Sequence, residues 1–137
     1  MIVADTGAII ALIDADDRHH RHLRELFERD PGAWLLPWAI LPEVDYLLGN
    51  QVGDRARRAF VADLVSGAFA VEWGEDKDLE RAQQLDTKYG RLGLGLVDGI
   101  VIAIAERRKV SAIATLDLRH FGAVTIAGQP ALLPRDA

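Results

Sequence analysis

Four acidic side chains stand where a carboxylate is either costly or conspicuously placed. Asp98 lies in LGLVDGIVIAIA (94–105), a stretch otherwise made of apolar residues and glycine. An isolated ionised carboxylate in apolar surroundings costs more than one hydrogen bond returns, so Asp98 needs a partner, a cap or a ligand. Asp5 follows the apolar run IVA (2–4), and Asp117 ends SAIATLD (111–117). Glu43 sits in LPEVDYLL (41–48), just after a second apolar run, AWLLP (33–37). If these runs are parallel strands, their ends can converge on one sheet edge, and the acids gathered there repel one another unless cations lie among them. Hard oxygen donors favour Mg²⁺ or Mn²⁺, which also bind substrate phosphates. Such an ion can activate a water and stabilise charge on a phosphodiester in the transition state.

Each acid also has a plainer reading. Asp5 and Asp98 can cap helices, Asp117 in TLDLRHF can close a turn onto its own backbone, and Glu43 can pair with a surface cation. The cap reading fits Asp98 least well. The helix after it is apolar on every side, which marks a buried helix, so its start is expected to be buried too.

The elements that must position these acids follow from the apolar pattern. IVA then DTG then AIIALI (2–13) reads as strand, turn and helix. A helix over 19–29 presents Leu23, Leu26 and Phe27 on one face and stops at Pro31-Gly32. The run 33–37 is a strand, followed by a helix carrying Ile40, Glu43, Val44 and Leu47 and ending at Gly49-Asn50. Further helices are expected over 54–65, over 76–89 and from the Asp98 segment to about Arg108. Further strands are expected at 69–73, 111–117 and 123–127 (AVTIA). Strands alternating with helices imply an α/β domain with a mainly parallel sheet, whose ligands sit beyond the carboxyl ends of the strands.

Composition narrows the function. With 137 residues, half of them apolar, and no repeat or linker, residues 1–137 are expected to form one domain. The absence of cysteine removes disulfides and thiolate metal sites. The apolar N-terminus lacks a basic leader and carries Asp5, and Asp63 and Asp98 interrupt the best candidates for a membrane span, so a cytoplasmic protein is expected. A net charge of −5 argues against coating nucleic acid by charge alone. An enzyme holding RNA with a local basic rim remains compatible with it.

Taken together and in order, DTGAIIALID (5–14), LPEVDYLL (41–48), GLGLVDGIVIAIAERRKV (93–110) and IATLDLRHF (113–121) resemble the PIN-domain ribonucleases of the VapC toxin type across nearly the whole chain. The resemblance implies an α/β/α sandwich with a mainly parallel central sheet and an acidic pocket for Mg²⁺ or Mn²⁺. It implies hydrolysis of RNA phosphodiesters to leave a 5′-phosphate. By motif, the catalytic and metal-binding acids would be Asp5, Glu43, Asp98 and Asp117, the same four that spacing selects. Thr6 and Thr115 would support them. The family is usually homodimeric and is inhibited by a small antitoxin that reaches into the pocket. Two departures stand out: Gly7 replaces a usual hydroxyl residue, and Gly99 follows Asp98 where alanine is common. Neither removes a charged ligand.

Other residues weigh less. Asp45 is turned away from Glu43 by its spacing along the helix. His19, His20 and His22 lie among Arg18, Arg21 and Arg24, which would repel a metal. His120 reads as packing the loop after Asp117 rather than orienting an acid. Arg91, Arg107 and Arg108 are candidates for RNA phosphate contacts, with Arg55, Arg57 and Arg58 behind them, and plain solvation is the competing reading for each. Two phosphotransfer folds fit poorly: one needs a second Asp where Gly7 stands, and the other a late lysine where IATLD ends in acid. A non-catalytic partner-binding domain of the same fold and an RNA-processing nuclease without an antitoxin remain as alternatives.

Overall fold

The computed structural model describes residues 1–137. Five strands form one all-parallel sheet: β1 (Ile2–Ala4), β2 (Trp34–Pro37), β3 (Ala70–Glu72), β4 (Ala112–Ala114) and β5 (Ala131–Leu133), in the order β3-β2-β1-β4-β5. The chain first winds outward from β1 to β3 and then crosses back to β4 on the other side of β1. With right-handed crossovers, that reversal puts the two sets of helices on opposite faces of the sheet. It also makes the gap between the carboxyl ends of β1 and β4 the topological switch point, where such sheets bind ligands.

One helical layer comprises α1 (Thr6–Ile13), α2 (His20–Arg29), α3 (Leu41–Gln51) and α4 (Asp54–Ser66). The other comprises α5 (Asp76–Lys88) and α6 (Leu96–Arg107), and α7 (Leu118–Phe121) is a single turn after β4. Helices on both faces explain why β1 and β4 read as continuous apolar runs rather than alternating ones: Val3, Ala4, Ile113 and Ala114 are fully buried. For α6 the reason is similar. It packs against both α5 and the sheet, so Gly99 to Ala105 are buried without interruption. Gly93 and Gly95, with φ of 66° and 57°, bend the chain into α6 through a conformation that side chains resist. No helix is long and apolar enough to cross a membrane.

Two expected boundaries change. The α3 helix runs through Gly49-Asn50 to Gln51 and ends before Gly53, whose φ of 124° breaks it. AVTIA is not a strand. Val124 and Ile126 are buried and Thr125 exposed, which produces a strand-like alternation. However, two of its amides are answered by side chains, Thr125 N–H donating to Tyr89 Oη (3.0 Å) and Ala127 N–H to Glu106 Oε2 (2.9 Å), and Ala123 N–H donates back to His120 O in its own turn. The fifth strand lies further on, at 131–133, and pairs with β4.

The two glycines that depart from the usual pattern behave oppositely. A Cβ on Gly99 would meet Ala82 Cβ at 3.0 Å and its Cα at 3.2 Å, so the close approach of α5 and α6 depends on that glycine. A Cβ on Gly7 would meet nothing. Gly99→Ala is therefore expected to destabilise by about 1 kcal/mol net, overpacking outweighing helix propensity. Gly7→Ala should stabilise by roughly 0.5 kcal/mol. Urea unfolding of the two variants beside the wild type checks both signs.

Candidate metal centre

The sheet delivers Asp5 and Asp117 to the switch point from neighbouring strands. Asp5 follows β1, and its amide donates to Ala114 O (2.9 Å), so the ladder continues to the residue that carries the carboxylate. Its side chain caps α1 by accepting from Thr6 N–H (2.8 Å). Its other oxygen accepts from the Thr115 hydroxyl (3.1 Å), which in turn accepts from Asp117 N–H (3.0 Å). One buried hydroxyl thus ties the end of β1 to the turn after β4. Asp117 caps α7 through His120 N–H (3.1 Å).

Asp98 arrives from the opposite layer and is not a cap. Gly95 occupies the cap position of α6 and Asp98 is its third residue. The carboxylate instead meets His120, whose Nδ1 lies 2.7 Å from Asp98 Oδ2 and 3.0 Å from Asp117 Oδ2. His120 therefore contacts two acids at once, where the sequence suggested loop packing. Its signal was its place three residues after Asp117, one helical turn away. Glu43 lies in the first turn of α3, exposed and without a hydrogen bond in the chain, close enough for its charge to be felt by Asp98.

Burial and mutual repulsion act on these carboxyls together. Asp5 is pushed up to about 6, first by burial and then by the charges of Asp98 and Asp117, against the lowering effect of Thr6 and Thr115. Asp98 is also raised, mainly by burial, with Asp117 and Glu43 adding to it and His120 opposing it.

The donor set fits a hard divalent cation. Among its oxygens are those of Asp5 and Asp98, whose carboxyls burial and neighbouring charge push up, and Asp98, Asp117 and His120 place one ligand-type atom each within 4.8 Å of one another. Beside Asp5, the Thr6 hydroxyl is buried without a hydrogen-bond partner.

Two of the basic candidates belong elsewhere. Arg107 lies nine residues beyond Asp98, about 13 Å along the helix axis, and its guanidinium is committed to Asp78 (2.9 Å), Glu72 (3.0 Å) and Glu75 (3.4 Å). Arg108 bonds Glu72 (2.8 Å). Burial works to raise Glu72, but hydrogen bonds from Arg107 and Gly74 N–H, with the charges of Arg107 and Arg108, outweigh it and hold the carboxyl below its usual range. These arginines fasten α6 to α5 and β3, so they are not free for RNA phosphates. Asp45 pairs with Arg57 (3.3 Å). Arg91 stays exposed and lines an open groove of about 660 Å³ with Lys88, Tyr89, Leu92 and Ala123.

Comparisons with known proteins agree with this architecture. A family model described as "PIN domain" matches residues 2–126. Ribonuclease VapC26 of Mycobacterium tuberculosis is 30% identical over 127 residues, covering 93% of this chain and 94% of that one. The crystal structure of the sarcin-ricin-loop-cleaving toxin VapC20 from the same organism superposes with a TM-score of 0.79 at 23% identity, covering 95% of this chain and 99% of that one. DNA-bound VapBC from Salmonella typhimurium gives 0.71 at 21% identity, with 96% and 95% covered.

The raised Asp5 carboxyl sets a pH dependence with an unusual sign. Its folded value of about 6 exceeds the free value of 3.8, so the folded state holds the proton longer. Stability contributed by protonated Asp5 is full below about pH 4 and lost as the pH rises through about 6, on the order of 3 kcal/mol in all. Asp5→Asn removes that loss. In EDTA, the melting temperature of Asp5→Asn minus that of the wild type should grow between pH 4 and 7. A difference independent of pH would contradict the assignment.

Proposed function

The chain belongs to the PIN-domain family, and on that premise we propose that it is an endoribonuclease, the toxin of a toxin–antitoxin pair that blocks translation. The observation that carries the reading is the meeting of Asp5, Asp98 and Asp117 at the switch point of the sheet, with Glu43 at the rim. A scaffold that only binds partners has no need to gather repelling acids.

The proposed cofactor is Mg²⁺ or Mn²⁺, held by Asp5, Asp98 and Asp117 with Glu43 beside them. When bound, such an ion lowers the pKa of water and offsets charge building on the phosphodiester. The chain's own residues do the rest. Thr6 N–H and the Thr115 hydroxyl fix both oxygens of Asp5, so that carboxylate cannot swing when RNA enters. Asp117 is fixed by its cap and by His120. Glu43, with unengaged oxygens, is assigned the proton released by the attacking water. The open groove lined by Lys88, Tyr89, Arg91 and Ala123 is assigned to the RNA. Arg91 and Lys88 supply phosphate contacts, and its wall joins the centre through Ala123 N–H, which donates to His120 O (3.2 Å).

The proposed partners are an RNA substrate, a small antitoxin and a second copy of the chain, in the cytoplasm. The fold likeness to the Salmonella typhimurium VapBC assembly supports the antitoxin.

Purified protein freed of antitoxin should cut total cellular RNA into discrete fragments with Mg²⁺ or Mn²⁺ and not with EDTA. Asp98→Asn should lower the rate by at least about a hundredfold, the upper end of what losing even an outer-sphere partner of a metal costs, with the fold intact by circular dichroism. Cleavage by Asp98→Asn at the wild-type rate would overturn the reading.

The groove is tested separately. Lys88→Ala with Arg91→Ala should weaken binding of single-stranded RNA. It should also flatten the dependence of log affinity on log salt by about 1.4, two phosphate contacts' worth. Arg107→Ala should leave that slope unchanged. Filter binding across a salt series reads both.

A further inference from the structure

His120 is the one hydrogen-bond partner of the Asp98 carboxylate in the chain, and it serves Asp117 as well. Its ring Nδ1 stands between Oδ2 of both acids, and its backbone N–H donates to Asp117 Oδ1. Its own position is constrained. The turn of α7 is capped by Asp117 and anchored by the buried ring of Phe121. The His120 carbonyl accepts from Ala123 N–H. The side chain is 18% exposed, so the contact is shielded from competing water. Asp98 and Asp117 come from opposite layers of the fold, one from α6 and the other from the turn after β4, and no backbone hydrogen bond sets their separation directly.

We propose that His120 is a positioning residue for the divalent ion. Its Nδ1–H bridges Asp98 and Asp117 and holds the two carboxylates at one separation, so that their remaining oxygens are presented together. The ring acts as a hydrogen-bond donor to ligands, not as a ligand. This rests on the metal reading above and adds to it a residue outside the acid quartet. Partners that orient metal-ligating carboxylates typically carry about 10–100-fold of the metal affinity.

The test is Mn²⁺ binding by calorimetry on the full chain, free of antitoxin, for wild type, Asp98→Asn, His120→Ala, His120→Asn and His120→Gln, each checked for folding by thermal melting in EDTA. His120→Ala should bind Mn²⁺ about 10–100-fold more weakly. Asparagine places its amide N–H where Nδ1 stood and should recover most of the loss, whereas glutamine places it beyond and should not. If the alanine variant does not fold, the asparagine–glutamine contrast decides the question. Alanine binding within about twofold of wild type, well short of the 10–100-fold range for such partners, overturns the inference. So does asparagine binding no better than glutamine. Pulsed EPR of the Mn²⁺-loaded wild type should show no directly bound nitrogen, and a coupling from a coordinated imidazole would overturn the positioning role. Wild type that binds no Mn²⁺ overturns the metal reading and this inference with it. Intact binding in His120→Ala overturns this inference alone.

Discussion

The Thr115 hydroxyl donates to Asp5 and accepts from the amide of Asp117, and the acidic edge is organised around those two bonds. β1 and β4 are neighbours through backbone pairing, but pairing alone leaves their terminal side chains free to splay. One buried hydroxyl removes that freedom on both strands together. It also offsets the cost of leaving Asp5 in the interior, where the only other donor to its side chain is the first amide of α1. The remaining parts assemble around this link. The reversal of strand order opens the crevice, α6 brings Asp98 across it, and α7 brings His120 between the acids.

The far end of α6 answers a different constraint. The central turns of α6, Gly99 to Ala105, carry no polar side chain that would mark one register against α5 and the sheet. Arg107 and Arg108 supply that marking through Glu72, Glu75 and Asp78. A half-buried ionic cluster is a poor source of stability in itself, but it discriminates strongly between registers. Gly99 sets the approach distance to α5 and the arginines set the position along the axis. Asp98 is thereby held from both directions.

Much of this was legible in the chain. Alternating apolar runs and helices pointed to the layers, and the acids after the runs pointed to the edge, because several carboxylates at strand ends of one parallel sheet converge there. What stayed hidden has physical reasons. The partners of Arg107 lie 29 to 35 residues away and share no periodicity with it, so its burial in an ionic cluster could not be read from its place at a helix end. AVTIA alternates because a loop lies along the core, and alternation does not distinguish that from a strand. The true last strand, ALL, is short and sits between Pro130 and Pro134. For His120, a histidine beside a buried phenylalanine looks like packing until the opposite layer is known to place Asp98 against it.

The last strand contributes no acid, yet β5 covers the outer edge of β4, and its Leu133 carbonyl receives the amide of Thr115 (2.9 Å). The family match ends at residue 126, before this strand begins. A chain stopped there would retain every acid discussed above, but β4 would become a bare sheet edge, open to pairing with any extended segment that met it. The residue that orders the acidic edge would then lose the strand beside it. Residues 127–137 thus cover the edge of β4 while also holding the backbone from which the Thr115 hydroxyl acts.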